Sequence, residues 1–262
     1  MKLTVIKKPI IIPIAESSLI FDGLSEVDNV LRGYDSEINS DTPTQNIPWA
    51  VGHIQSGSEM LTEIAGRLCY RAFGDKASGK TNAEYIENLF KHKHLSVLYH
   101  AKFSFFFAGI SRALSHELIR HYVGADRSEE GNVSQESTRY CKHNGWVIKH
   151  PGIRLSDEDF VCDVSDAFHS YEAFIDSELL DYKLEHSGEE AKGLDKKRIY
   201  EAAATMLPMC AGTSFVWSAN AVALRKMITE RKGETANLEF RAFALELERI
   251  CVGRWPNLFQ GL

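Results

Sequence analysis

Cysteine is scarce in this chain and never paired. Cys69, Cys141, Cys162, Cys210 and Cys251 are odd in number, widely spaced and include no CxxC pair. That excludes a disulfide framework and a thiolate zinc site, and it fits a reducing compartment. Long hydrophobic runs are also missing. The stretch from Met1 to Ile14 carries lysines and is interrupted by Pro9 and Pro13, so it reads neither as a spanning helix nor as a signal peptide. Positive charge is not in surplus: the formal net charge is -6, which argues against non-specific binding to nucleic acid, a process driven by clustered cations on phosphates. There is no internal repeat and no low-complexity tract. These absences give the expectation of a soluble cytoplasmic protein, or one of the host cytoplasm if the source is viral, with no membrane and no nucleic-acid partner.

What is present is ordinary globular material. The chain has 262 residues, 44% hydrophobic and 25% charged, enough for a substantial core. We expect a single domain, with an irregular acidic elaboration over about residues 16 to 48. Leu3 to Ile14 reads as one or two strands, with Pro9 confining it to an edge or a bend. Helical spacing runs from Glu59 to Tyr70, from Asn82 to Lys91, from Asp157 to Glu185, from Lys197 to Leu207, from Phe215 to Arg231 and from Asn237 to Cys251. AKFSFFF after His100 reads as a buried strand.

Chemistry concentrates between Ser111 and Tyr140, SRALSHELIRHYVGADRSEEGNVSQESTRY. Ile110, Leu114, Leu118 and Tyr122 recur every four residues, which predicts an amphipathic helix with His116 and Arg120 on one polar stripe and Glu117 and His121 on another. The polar run from Gly124 to Asn132 breaks the helix, and SQESTRY returns from it. Two arginine-bearing segments joined by a loop suit a polyanionic ligand. A guanidinium offers phosphate a planar fork of donors, and hydroxyls can complete the cradle. A solvated helix face with a surface loop is the alternative.

Two other motifs need an answer. Gly74 to Thr81, GDKASGKT, matches the P-loop pattern, which would make the chain a nucleotide-binding protein using Lys80. A P-loop follows a buried strand, however, and here a helix precedes it, so a helix-helix connection is the better reading. HELIRH, His116 to His121, resembles a zinc motif, but its histidines are five apart, about 140° around a helix. His92, His94 and His100 lack a carboxylate or thiolate to complete a metal site, and no metal is expected.

Four ordered blocks then carry a resemblance: HKHLSVLYHAKFSF, ISRALSHELIRH, SQESTRY, and LP…FVWSANAVAL…ER…NLEFR. Together they resemble the flavin-dependent thymidylate synthases (ThyX, thymidylate synthase-complementing proteins) over most of Glu59 to Arg249. The resemblance implies an α+β fold with a mixed sheet flanked by helices. It also implies a homotetramer with active sites between subunits, and methylation of dUMP to dTMP with methylenetetrahydrofolate as carbon donor, FAD as cofactor and NADPH as reductant. By position, it implies that Arg231 is catalytic, promoting ionisation of the uracil. Glu117, Arg120, Gln135, Glu136, Ser137, Thr138, Arg139 and Arg231 would contact dUMP. His94, Ser96, Arg120, His121, Tyr122, Gln135, Asn220, Ala221 and Lys226 would contact FAD.

The chain also departs from the family pattern. Tyr122 replaces the second arginine of Arg-His-Arg, Glu117 stands where glutamine is usual, and the loop before SQESTRY is longer, with Arg127 a possible substitute cation. Ala204 stands where an arginine commonly binds the dUMP phosphate, and Lys197 or Arg198 would have to reach around a helix to compensate. These changes leave open an alternative activity, flavin-dependent methyl or hydroxymethyl transfer to C5 of another pyrimidine nucleotide.

Overall fold

The computed structural model describes residues 1–19, 56–70, 80–123 and 133–262. The elaboration over residues 16–48, beyond its first four, lies outside the described residues, as do most of GDKASGKT and the loop that contains Arg127.

In chain order the elements begin with strands β1 (Thr4–Ile6) and β2 (Ile10–Glu16) and helices α1 (Gly57–Tyr70) and α2 (Asn82–Lys91). A 3-10 turn over Leu95–His100 leads into β3 (Lys102–Ser111), α3 (Arg112–Val123), β4 (Val133–Gln135) and β5 (Trp146–Ile148). The long α4 (Asp157–Glu185) and α5 (Gly193–Ala203) follow, then a second 3-10 turn, Ala204–Met206. β6 (Gly212–Asn220), α6 (Ala221–Arg231), α7 (Leu238–Arg254) and the short α8 (Pro256–Phe259) end the chain. The class is α+β with mixed pairing, as expected. β2, β3, β6 and β4 bond in that order, β1 runs parallel to β5, and β4 runs antiparallel to β6.

Three sequence expectations are corrected. Phe215 to Asn220 is strand, not the start of a helix. The segment alternates, with Thr213, Phe215, Trp217 and Ala219 buried and the residues between them less so. That period of two wins over the weaker helical match because Phe, Val and Trp fit a pleated surface. Asn220 is therefore not inside a helix. It caps α6, accepting from the Ala223 N–H at 2.9 Å. The helix expected over Lys197 to Leu207 begins earlier, at Gly193, and tightens into a 3-10 turn after Ala203. Ile110 is buried as expected but ends a strand instead of beginning a helix.

The chain divides into two compact units. The first comprises Met1–Ile12, Phe105–Trp217 and Glu234–Phe243. Its aromatic centre is Phe107, packed edge-on against Phe215 at 5.2 Å and Phe243 at 4.9 Å. Ser111 starts α3 firmly: its hydroxyl accepts from the Leu114 N–H, while its own N–H and O–H both donate to the Glu239 carboxylate. Gly145 adopts φ +83°, and a Cβ there would lie 2.4 Å from the Lys2 carbonyl oxygen. Only glycine lets the chain enter β5 beside β1.

The second unit comprises Pro13–Ser104, Ser218–Gly233 and Ala244–Leu262. Phe103, Trp255 and Phe259 pack at tilted angles in its core. A buried polar chain runs beside them: Asn257 donates to Asn82 and Glu59, Asn82 donates to Glu63, and Glu63 pairs with Arg67 at 2.7 Å. Each charge has a partner, which is what makes its burial tolerable. Burial pushes the phenol of Tyr85, under the Arg67 guanidinium, up to about 12.

α2 bears on the P-loop question. Thr81 is its cap: the hydroxyl accepts from the Glu84 N–H, and the Glu84 carboxylate accepts from Thr81 N and Oγ1. The element before the octapeptide is helix α1. Among the described residues no strand directly precedes the octapeptide, and the threonine of the motif is occupied as a cap.

Candidate functional site

In the first unit Gln135 and Glu136 meet the first turn of α3 and strand β6. β4 pairs with β6 in the register Val133↔Trp217 and Gln135↔Phe215. This brings SQESTRY to the first turn of α3, where Arg112 Nη2 donates to the Glu136 carbonyl at 3.1 Å. The Glu136 N–H donates to Ser214 O. Gln135 Nε2 donates to both Ser115 Oγ and Thr213 Oγ1 at 3.1 Å, and Ser115 Oγ donates back to Arg112 O. Two consecutive residues are thus fastened from both sides. Just beyond them Ser137 opens a turn, its carbonyl accepting from the N–H groups of Tyr140 and Cys141 and its hydroxyl from that of Arg139.

Burial pushes the Arg112 guanidinium pKa down, opposed by the Glu136 charge. Arg112 Nε is buried with no hydrogen-bond partner. His143 lies nearby, and burial pushes its imidazole pKa down against the opposing hydrogen bond to Gly212. Its Nδ1 accepts from the Gly145 N–H, which leaves Nε2 to carry the proton and donate to Gly212 O. Arg139 is about half exposed and pairs with Glu201 of α5 at 2.7 Å. Tyr140 is exposed, and the Lys197 ammonium draws its phenol pKa down. On α3, Glu117 and His121 are partly buried, Arg120 is exposed, and the His121 ring meets Phe240 edge-on at 5.6 Å. Tyr122 continues the helix backbone.

The second unit carries the remaining predicted residues. His94 is exposed and stacks on Tyr70, whose hydroxyl lies 3.0 Å from Nδ1. Ser96 is exposed on the following 3-10 turn. Asn220 and Ala221 begin α6, where the Ala221 N–H is taken by Ala101 O. Lys226 is exposed at 4.0 Å from Glu230, and Arg231 ends the helix partly buried. The neighbouring Arg225 serves the fold, donating to the carbonyls of Leu258 and Gln260.

Arg112, Ser115 and Thr213 were not singled out by the sequence, although two of them sit inside ISRALSHELIRH. Reading Thr213 to Ala219 with a period of two would have aimed Thr213 inward. Among the described residues no cluster of His, Cys, Asp and Glu could hold a metal, every cysteine is free, and no helix is long and apolar enough to cross a membrane. Hydroxyls and a guanidinium on a pinned turn can bind an anion through charge-assisted hydrogen bonds.

The model of the thymidylate synthase complementing protein family matches residues 51–257. A flavin-dependent thymidylate synthase of Mycolicibacterium vanbaalenii is 33% identical over 217 residues, covering 82% of each chain. Those of Mycobacterium sp. (strain JLS) and Mycobacterium marinum are 33% and 34% identical, covering 83% and 82% of this chain and 84% and 82% of their own. The chain belongs to the thymidylate synthase complementing protein family.

Proposed function

We propose that this protein is a flavin-dependent thymidylate synthase that converts dUMP to dTMP, with methylenetetrahydrofolate as carbon donor and NADPH as reductant. The observation that carries the reading is the pinned SQESTRY turn, which sets Ser137, Thr138 and Arg139 on a fixed support at the place where the family signature lies. The chemistry of the donor set fits a flavin dinucleotide. Within the second unit, His94 stacked on Tyr70 offers a flat polar platform, and Ser96 and Lys226 are exposed donors for a phosphate chain. A bound FAD, reduced by NADPH, supplies the hydride that completes the methyl group.

The chain's own residues bind, orient and hold charge. Ser137 and Arg139 take the nucleotide phosphate, while Gln135, Glu136, Thr138, Glu117 and Arg120 shape its surroundings. Arg231 holds the negative charge that develops on uracil N3 and O4 as C5 becomes nucleophilic, in the manner of an oxyanion donor. No cysteine nucleophile is required. His94, Ser96, His121, Tyr122, Asn220, Ala221 and Lys226 hold the flavin. The assembly is a homotetramer with active sites between subunits, working in the cytoplasm.

Tritium release from [5-3H]dUMP with methylenetetrahydrofolate and NADPH, followed by mass spectrometry of the product, tests the reading. Release with formation of dTMP is expected. Turnover of dCMP but not dUMP would replace it with C5 modification of another pyrimidine nucleotide, the activity that Glu117 and Ala204 leave open. Arg231→Ala should lower turnover by about a hundredfold or more while the flavin spectrum persists. Near-normal turnover would mean that another cation holds the uracil charge.

A further inference from the structure

Helix α5 turns a carboxylate and an ammonium toward the SQESTRY turn. Glu201 Oε2 accepts from Arg139 Nε at 3.0 Å and lies 2.7 Å from Nη2. Lys197, four residues earlier, holds its Nζ 4.9 Å from the centre of the Tyr140 ring. Residues four apart on a helix share a face, with Cβ atoms about 5–6 Å apart. Lys197 can therefore reach Glu201. The side chains of Arg139 and Glu201 are 49% and 53% exposed, and an ion pair this open is weak and screened by salt.

Building on the reading that Arg139 binds the nucleotide phosphate, we propose that Glu201 competes with that phosphate for Arg139, and that Lys197 receives the displaced carboxylate. A phosphate monoester carries about -1.5 to -2 charges and three strong acceptor oxygens. A carboxylate carries one charge, and Glu201 uses a single oxygen for both guanidinium nitrogens, whereas phosphate can offer the fork two oxygens. The phosphate therefore wins the exchange. A bare carboxylate left beside it would repel it, and Lys197 removes that repulsion by pairing with Glu201 one turn along the helix. No covalent bond changes, only ion partners. The consequence is selectivity: a nucleoside without phosphate cannot displace Glu201, so Arg139 stays closed to it.

Equilibrium titration of the flavin-loaded protein with dUMP, and separately with deoxyuridine, tests this in four variants. Glu201→Gln should tighten dUMP about two- to fivefold, the range spanned by an exposed ion pair, and leave deoxyuridine unchanged. Lys197→Met should weaken dUMP about two- to threefold in the parent protein and have no effect in the Glu201→Gln background. Arg139→Gln should weaken dUMP at least tenfold. If Arg139→Gln weakens dUMP but Glu201→Gln does not tighten it, the exchange is wrong while the phosphate role of Arg139 stands. If Arg139→Gln leaves dUMP binding unchanged, the phosphate assignment fails and the exchange fails with it. A Lys197→Met effect that persists in the Glu201→Gln background would show Lys197 meeting the nucleotide directly and would overturn the handover.

Discussion

Family resemblance places Gln135 against both ligands, yet its amide nitrogen is spent on Ser115 Oγ and Thr213 Oγ1, each at 3.1 Å. Replacing Gln135 with leucine removes both bonds. At a net 0.5–1.5 kcal/mol each, the loss is about 2 kcal/mol. Ser115 keeps its own donation to Arg112 O, so its hydroxyl is not orphaned. Thr213 is 1% exposed and loses the donor to its oxygen. For a chain of this length, about 2 kcal/mol lowers Tm by roughly 4 °C. Because Ser137 to Arg139 follow directly, the freed turn should also bind dUMP about tenfold more weakly. Scanning calorimetry of the flavin-loaded protein and a dUMP titration measure both quantities. Thr213→Val removes only one of the two bonds, so its effect and that of Gln135→Leu should add to more than the double variant shows, with a coupling of about 0.5–1 kcal/mol. An unchanged Tm in Gln135→Leu, or strict additivity with Thr213→Val, would refute the idea that the amide fastens the turn.

Gly145→Ala should cost about 3 kcal/mol, because it combines a left-handed backbone with a Cβ driven into the Lys2 carbonyl; a Tm within 2 °C of the parent protein would contradict this. His143 has a folded-state pKa below its unfolded one, so its contribution to stability is present above about pH 6.5 and is lost as pH falls further. Tm should therefore drop more steeply between pH 7 and pH 5 in the parent than in His143→Leu, and parallel curves would count against it. Thr81→Ala should lower stability by about 1 kcal/mol through loss of the cap. Lys80→Ala should change neither stability nor dUMP turnover, and loss of ATP binding in that variant would revive the P-loop reading.

How much of this was legible in the sequence depends on whether the deciding interactions are local. α4 could be read to the residue, Asp157–Glu185, because Ser156 caps it, three acidic residues fill its first turn and its core positions keep a helical period. α2 was equally plain, with Thr81 and Glu84 forming a box three residues wide. β6 failed because a nine-residue strand running into a helix gives one nearly continuous apolar stretch, and the junction rests on a single residue, Asn220. The site divides the same way. Ser137 and Arg139 could be proposed because they lie in one contiguous run, SQESTRY, that carries the resemblance. The bonds that make that run usable could not. Gln135 reaches Thr213 across 78 positions and Arg139 reaches Glu201 across 62, and no periodicity of α3 or β4 encodes either contact. The run that carries the resemblance was therefore visible while the bonds that hold it were not. Where a family arginine is missing, as at Ala204, the residues to examine are those on the facing helix that already touch the bound turn. The sequence neighbours of the gap are a poorer guide, because Lys197 stands beside Tyr140 through the packing of α5 and not through its distance along the chain.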